Sequence, residues 1–334
     1  MRRDEWIIDG FGCVASAWER FAAADTLVYI DLPLLTHFRW VTKRLVKGLV
    51  VAPEGWPENS PLWSSTMSGY RSPPEVTDRD EGISRGDPAR GAPDMPVVFV
   101  HGVPDTQRVW DAVASRLERK DVVRLSLPGF GCSPAKNFSA TKEAYVEWLL
   151  GELGALADSI DLVGHDWGAL LVVRAVSLKP NAVRSWAAGG APLDREYVWH
   201  QAARAWQTPG TGERVMEGLT PEALQAALVA AGVPAVDAAT AAGNLDATMK
   251  QCILSLYRSA VHVGAEWEDD LRRISAPGLV LWGEKDPYAS REFGARLAEK
   301  THARFASFPG CSHWWQLERP GEVVAELQRH WAAA

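Results

Sequence analysis

From Val97 onward, short apolar runs alternate with stretches long enough to form helices. Val97-Val98-Phe99-Val100 ends at His101-Gly102, and Val122-Val123-Arg124-Leu125 ends in Pro128-Gly129-Phe130-Gly131. A third strand is predicted over 159–163, leading into Gly164-His165-Asp166-Trp167-Gly168, and a fourth over 183–188. Helices are predicted over 107–119, 143–157 and 170–178. Alternation of this kind requires right-handed crossovers and builds a parallel sheet. The pattern breaks at Pro192. Residues 192–270 are rich in Ala, Glu, Gln and Trp and carry no clear strand signal, which predicts an inserted helical cap. The sheet resumes at Gly278-Leu279-Val280-Leu281-Trp282 and again over 303–308. The expected class is therefore α/β, a mostly parallel sheet flanked by helices. Its core occupies 96–191 and 271–334, with the cap over 192–270.

Two zones precede this core. In residues 1–50, Trp6-Ile7-Ile8-Asp9-Gly10 and Thr26-Leu27-Val28-Tyr29-Ile30-Asp31 read as short buried strands around a helix at about 15–24. Leu34, Phe38, Val41, Leu45 and Leu49 then fall on one helical stripe. Residues 51–95 are dominated by Pro, Gly, Ser and charge and read as a linker. The net charge of −7 argues against a general nucleic-acid binder. Four cysteines lie far apart, at Cys13, Cys132, Cys252 and Cys311, without zinc-ligand spacing. They are expected as small buried thiols in a reducing compartment, with no metal. No secretory leader is recognisable behind Met1-Arg2-Arg3, and no apolar run reaches the roughly 18 residues a membrane helix needs. A cytoplasmic location is the expectation. The 16 tryptophans are assigned mainly to core packing, with some expected to line a pocket.

The chemistry concentrates in the turns. Gly164-His165-Asp166-Trp167-Gly168 has the frame of a nucleophile elbow, a tight strand-to-helix turn that exposes its central side chain above the sheet. Gly283-Glu284-Lys285-Asp286-Pro287 places Asp286 after a strand, and Gly310-Cys311-Ser312-His313-Trp314 places His313 after the last strand. Reactive groups belong at the carboxyl ends of parallel strands. His101-Gly102-Val103-Pro104 follows the first strand. The backbone N–H groups of Val103 and Trp167 are the candidate oxyanion donors.

Together, HGVPD, GHDWG, GEKDP and GCSHWW resemble the α/β-hydrolase family, specifically its aspartate-nucleophile branch of epoxide hydrolases and haloalkane or haloacetate dehalogenases. The resemblance covers residues 96–334. It implies attack by Asp166 on carbon, giving an alkyl ester that water hydrolyses with His313 as base and Asp286 as its orienting acid. No cofactor is implied, and the partners are a small apolar substrate and water. An aspartate, with an ordinary pKa of about 3.9, is already ionised at neutral pH. It suits attack on an sp3 carbon bearing an epoxide oxygen or a halide, whereas attack on an ordinary ester gives an anhydride.

Tyr257, in Leu-Tyr-Arg-Ser-Ala, resembles the lid tyrosine of both subfamilies and is the expected donor to the leaving atom. His101, Trp167, Trp206 and Trp314 are expected to line the substrate pocket. The second lid tyrosine of epoxide hydrolases falls on Ala202, with Tyr197, Trp199, His200 or Trp206 as substitutes. Many haloalkane dehalogenases have Asn or Glu where this chain has Val103. The leading expectation is epoxide hydrolysis to a diol, and the alternative is a haloalkane or haloacetate dehalogenase. From another class, the chain is read as a non-catalytic nucleotide- or partner-binding protein with a vestigial hydrolase domain. Residues 1–50 resemble a fragment of an adenylate-kinase-like P-loop protein of the topology-modulation type, but no G-x-x-x-x-G-K-[ST] is present.

Overall fold

The computed structural model describes residues 96–156 and 159–334, within a compact unit spanning Asp87–Ala334. The expectations for residues 1–50 and 51–95, including Cys13, lie outside the described residues. Six strands form one sheet: β1 Val97–Val100, β2 Val122–Leu125, β3 Ile160–His165, β4 Val183–Gly189, β5 Gly278–Gly283 and β6 Arg304–Phe308. Their order is β2-β1-β3-β4-β5-β6, and every pairing is parallel. The order reverses between β1 and β3. The loops after these strands diverge there and leave a crevice at the carboxyl edge, where open α/β sheets bind their ligands.

Side-chain alternation divides the core between two faces. Val98, Val100, Leu162, Val280 and Trp282 pack on one side, and Val97, Phe99, Val163, Leu279 and Leu281 on the other. β1, β3 and β5 are buried along their whole length, while the edge strands β2 and β6 are partly exposed. This explains why the central strands read as continuous apolar runs. Helices α1 Asp111–Ala114, α2 Lys142–Leu156 and α3 Trp167–Leu178 follow the first three strands. α3 is apolar nearly all round and lies buried beneath the site.

The helix predicted over 107–119 is shorter. A 3-10 turn, Gln107–Trp110, leads into α1, which ends at Ala114. Beyond it, Arg119 is drawn into ion pairs with Asp121 and with the buried Asp161 of β3, 2.8 Å away, and this long-range anchor takes the chain off the helical path. β3 is longer than the predicted 159–163, because Gly164 pairs with Val100 of β1 and His165 with Gly189 of β4.

Between β4 and β5 the chain is helical: α4 Gln201–Gln207, α5 Thr211–Gly218, α6 Pro221–Ala230, α7 Ala235–Ala242, α8 Ala247–Ser259 and α9 Val263–Trp267. Local chemistry sets the boundaries. Thr220 accepts from the Ala223 N–H ahead of Pro221, and Asp246 accepts from the Met249 N–H at 2.7 Å. Helices α10 Arg291–Thr301, α11 Trp315–Glu318 and α12 Pro320–Ala333 complete the unit. Trp110, Trp167, Trp186, Trp282, Trp314 and Trp315 are fully buried. Of the thiols expected to be buried, Cys252 and Cys311 are, but Cys132 is exposed, because its loop beyond β2 turns outward. No helix among the described residues is long and apolar enough to cross a membrane.

Candidate active site

Asp166 is the single residue between β3 and α3. Its backbone takes φ 50° and ψ −126°, a left-handed conformation that costs a non-glycine residue about 1–3 kcal/mol. Three backbone bonds hold it there: its N–H donates to Gly189 O at 3.0 Å, and its carbonyl accepts from Ala169 and Leu170. The flanking glycines have a steric cause. A Cβ at Gly164 would sit 2.4 Å from Gly168 O, and one at Gly168 would sit 2.2 Å from Val100 O. A Cβ at Gly102 would strike the Asp166 carboxylate at 2.3 Å. That closeness lets the Val103 N–H donate to Asp166 Oδ2 at 2.8 Å. Trp167 opens α3, so its N–H is one of the helix's first amides, which lack an intrahelical acceptor.

The loops after β5 and β6 bring the other two groups. The Lys285 N–H donates to Cys311 O at 2.8 Å, and a Cβ at Gly283 would overlap Ser312 O, so the two loops run in contact. His313 Nδ1 lies 2.7 Å from Asp286 Oδ2, and His313 Nε2 lies 3.6 Å from Asp166 Oδ1. Asp286 Oδ1 accepts from the N–H groups of Tyr288 and Ala289. Burial disfavours the His313 imidazolium, but the Asp286 and Asp166 carboxylates outweigh it, and its pKa stands well above the ordinary value. Burial likewise works against the Asp166 carboxylate, and His313 outweighs it, so Asp166 titrates below the ordinary range. Both shifts favour an ionised carboxylate beside an imidazolium.

Behind this pair, His165 lies against His313 with ring centroids 4.7 Å apart, and its Nε2 is 2.9 Å from His313 O. A carbonyl only accepts, so Nε2 carries the proton. Burial, then the charge on His313, pushes the His165 pKa down to about 3, so it stays neutral. Asp105, two residues past Val103, is buried and accepts from the Trp314 indole N–H at 2.9 Å. Burial raises its pKa to about 7, with the Trp314 hydrogen bond opposing and the Asp166 charge reinforcing.

Asp166 and His313 face a cavity of about 300 Å³. Its walls include Trp167, Trp199, Trp206, Trp314, Tyr197, Tyr257, Tyr288 and His200, with Leu170, Val215, Leu219, Leu224, Leu228 and Ile253 between them. Among the described residues, no Lys or Arg lines it. A more open surface groove of about 550 Å³ lies among Asp194, Arg195, Glu268, Arg296 and Lys300, shares no lining residue with this cavity, and its charges pair with one another.

The sequence profile of the alpha/beta hydrolase family matches residues 97–327, which contain the sheet and every group above. The chain belongs to the alpha/beta hydrolase family. It is 28% identical over 291 residues to epoxide hydrolase A of Mycobacterium tuberculosis, covering 71% of this chain and 90% of the relative. It is 25% identical over 253 residues to a haloalkane dehalogenase of Psychrobacter cryohalolentis, covering 70% and 81%. Among solved structures it resembles the meta-cleavage product hydrolase of Pseudomonas fluorescens, with a TM-score of 0.61 at 18% identity, covering 72% of this chain and 91% of that one. At that identity the likeness shows the fold.

In this hydrolase, Tyr257, Trp167, Trp206 and Trp314 lie on the cavity wall as expected from sequence, and His101 does not. His101 is fully buried. Its Nε2 accepts from the Leu127 N–H at 2.9 Å, so its Nδ1 carries the proton and donates to Gly102 O at 2.8 Å. The ring fastens the loop after β1 to the loop after β2, and burial lowers its pKa to about 4. Tyr257 packs against Trp206 at 4.9 Å, Trp199 at 5.3 Å and Trp167 at 5.4 Å. Burial and the Asp166 charge raise its pKa well above the ordinary value, while the Trp167 indole N–H pulls the other way. Among the residues considered for the second tyrosine's place, Tyr197 donates its hydroxyl to Tyr288 O at 3.1 Å, and the Trp199 indole donates to Ala260 O at 3.3 Å. The sequence reading missed Tyr288. The available signal was its place two residues after Asp286, where an aspartate's turn captures the next-but-one N–H.

Proposed function

We propose that this hydrolase opens epoxides to diols through a covalent alkyl ester on Asp166. The observation that carries this is a carboxylate at the elbow whose pKa is lowered, facing an apolar cavity lined by tyrosine hydroxyls and, among the described residues, by no Lys or Arg. An oxygen of Asp166 attacks an epoxide carbon. The ring C–O bond breaks, and its electron pair passes to the oxygen, to which Tyr257 donates a hydrogen bond that strengthens as charge develops. Esterification removes the Asp166 charge, and with it one of the two carboxylates that hold the proton on His313. The imidazolium gives up that proton to complete the new hydroxyl of the ring-opened product, and the neutral imidazole is then free to take a proton from water. Hydroxide adds to the ester carbonyl, and the N–H groups of Val103 and Trp167 receive the oxyanion. Collapse releases the diol and returns the carboxylate–imidazolium pair. Helices α4–α9 serve as the cap that closes the cavity, over a core of 96–191 and 271–334. The reaction needs no cofactor.

The alternative is halide displacement, and the haloalkane dehalogenase relative at 25% identity favours it. One detail favours the epoxide over a haloacetate. A haloacetate needs a cation for its carboxylate, and among the described residues no Lys or Arg lines the cavity. The test is to treat His313→Phe with styrene oxide. The expected product is an adduct of the substrate's mass on the peptide containing Asp166. Normal turnover by this variant with no adduct would overturn the proposal.

A further inference from the structure

We propose that Tyr288 is a catalytic residue of the ring-opening step, delivering the proton that the epoxide oxygen takes as it leaves while Tyr257 holds the same oxygen by a hydrogen bond. This rests on the epoxide reading. It follows from accounting for the polar atoms around the cavity. Tyr197 donates to Tyr288 O, Trp199 donates to Ala260 O, and Trp314 donates to Asp105. The Trp206 indole N–H is unpartnered among the described residues, but an indole is a far weaker acid than a phenol and can offer a hydrogen bond rather than a proton. The Tyr288 hydroxyl has no hydrogen-bond partner among the described residues, and the side chain lines the same cavity as Tyr257 and Asp166.

Tyr288 is also held firmly. Its N–H is bonded to Asp286 at 2.8 Å, and its carbonyl receives the Tyr197 hydroxyl. Its ring stands edge-on to His313 with centroids 5.0 Å apart and packs against His200 at 4.9 Å. It therefore approaches the reacting centre from the sheet edge, and Tyr257 approaches from α8. Two fixed donors from different elements suit one oxygen atom that must gain both a hydrogen bond and a proton. The division of roles follows from burial. Tyr257 is almost completely enclosed, and its proton is held tightly. Tyr288 is half-buried and is pushed by burial, then by Asp166, only to about 12. It is the readier acid.

The step balances. Asp166 Oδ supplies the electron pair of the new C–O bond, the ring C–O pair goes to oxygen, and the Tyr288 proton completes the hydroxyl. The phenolate recovers a proton from the His313 imidazolium, whose pKa falls once Asp166 is esterified. That transfer leaves the neutral imidazole needed for hydrolysis.

The experiment is single-turnover ester formation, followed by rapid quench and intact mass, with styrene oxide and with 1-bromohexane. It compares wild type, Tyr288→Phe, Tyr257→Phe and the double variant. Phenylalanine keeps the ring contacts, and the bromoalkane reports whether the site remains assembled, since bromide leaves without a proton. Tyr288→Phe is expected to slow ester formation from the epoxide by about 10²–10³-fold. It is expected to slow the bromoalkane by roughly tenfold or less. Unchanged epoxide kinetics in Tyr288→Phe, or equal losses on both substrates, would overturn the proposal and leave the Asp166 ester intact. A wild type that forms an ester only with the bromoalkane, or with neither substrate, removes the epoxide reading and this proposal together.

Discussion

Asp166 carries two burdens that separate on mutation. Its side chain supplies the proposed nucleophile, and its backbone occupies a conformation that glycine adopts freely. Asp166→Gly should abolish turnover of styrene oxide while leaving thermal stability equal to or above wild type, because relief of about 1–3 kcal/mol of backbone strain offsets the lost Val103 hydrogen bond. A melting curve beside an activity assay checks both halves. The site's electrostatics make a second prediction. In the proposed mechanism ester formation needs the ionised Asp166 carboxylate and the protonated phenols of Tyr257 and Tyr288, none of which titrates near neutrality, so its single-turnover rate should be flat across neutral pH. Ester hydrolysis needs neutral His313, so its rate should rise with pH until the imidazolium of the esterified enzyme is lost. Rapid-quench measurements of the two phases between pH 5 and 9 would reveal a shared profile if one group governed both.

At the scale of elements, the elbow is a three-way contact between β1, β3 and α3. Gly168→Ala would drive a methyl group into the carbonyls of Val100 and His101, which are backbone atoms that cannot swing aside. The expected loss is about 3 kcal/mol or more, seen as a fall in the denaturation midpoint or in soluble yield. The bond from Trp314 to Asp105 joins the loop after β1 to the histidine loop, and burial of the Asp105 carboxyl there makes stability depend on pH. Asp105 keeps its proton in the folded state up to about pH 7, whereas in the unfolded chain it ionises near pH 4. The unfolded state therefore binds fewer protons across that window, and stability falls as pH rises through it. Asp105→Asn should flatten this slope and be the more stable protein at pH 8, by an amount on the order of 1–4 kcal/mol. Unfolding at pH 5 and pH 8 gives the comparison. These elements also mark what a sequence can disclose. The apolar strands and the Gly-x-Asp-x-Gly spacing are local patterns, and they were legible. The early end of α1 depends on Arg119 meeting Asp161, 42 positions away, and no local pattern encodes that meeting. His101 stands beside the elbow in the motif, yet its bond to Leu127 N–H turns it away from substrate. Tyr288 is ordinary in sequence and becomes conspicuous only through the neighbours that Asp286 gives it.

At the scale of the molecule, charge is distributed unevenly between the ion-paired groove and the cavity. Asp194 and Glu268 pair with Arg296 and Lys300 at the groove, while among the described residues lining the cavity the full charges are those of the Asp166–His313 pair. An anionic substrate would lose its hydration without meeting a free cation. An epoxide bearing a carboxylate should therefore show kcat/KM at least about 10²-fold below its methyl ester, equivalent to about 2.7 kcal/mol. Parity between the two would place a cation in the cavity that the lining residues do not provide.

The turn at the elbow is one residue long, so the backbone beneath the proposed nucleophile has no hinge, and the Val103 N–H holds one carboxylate oxygen in place. Strand and helix clamp it from both sides, and the line along which its oxygen meets carbon is fixed relative to the cavity walls. Handedness follows from that line. Back-side attack inverts the carbon it reaches, and hydrolysis at the carbonyl afterwards leaves the new carbon–oxygen bond untouched. Mirror-image epoxides that present the same ring carbon to this line place their substituents against different cavity walls, so the two fit unequally. A racemic mixture should therefore be consumed unevenly, leaving one enantiomer behind and giving a diol of predominantly one configuration.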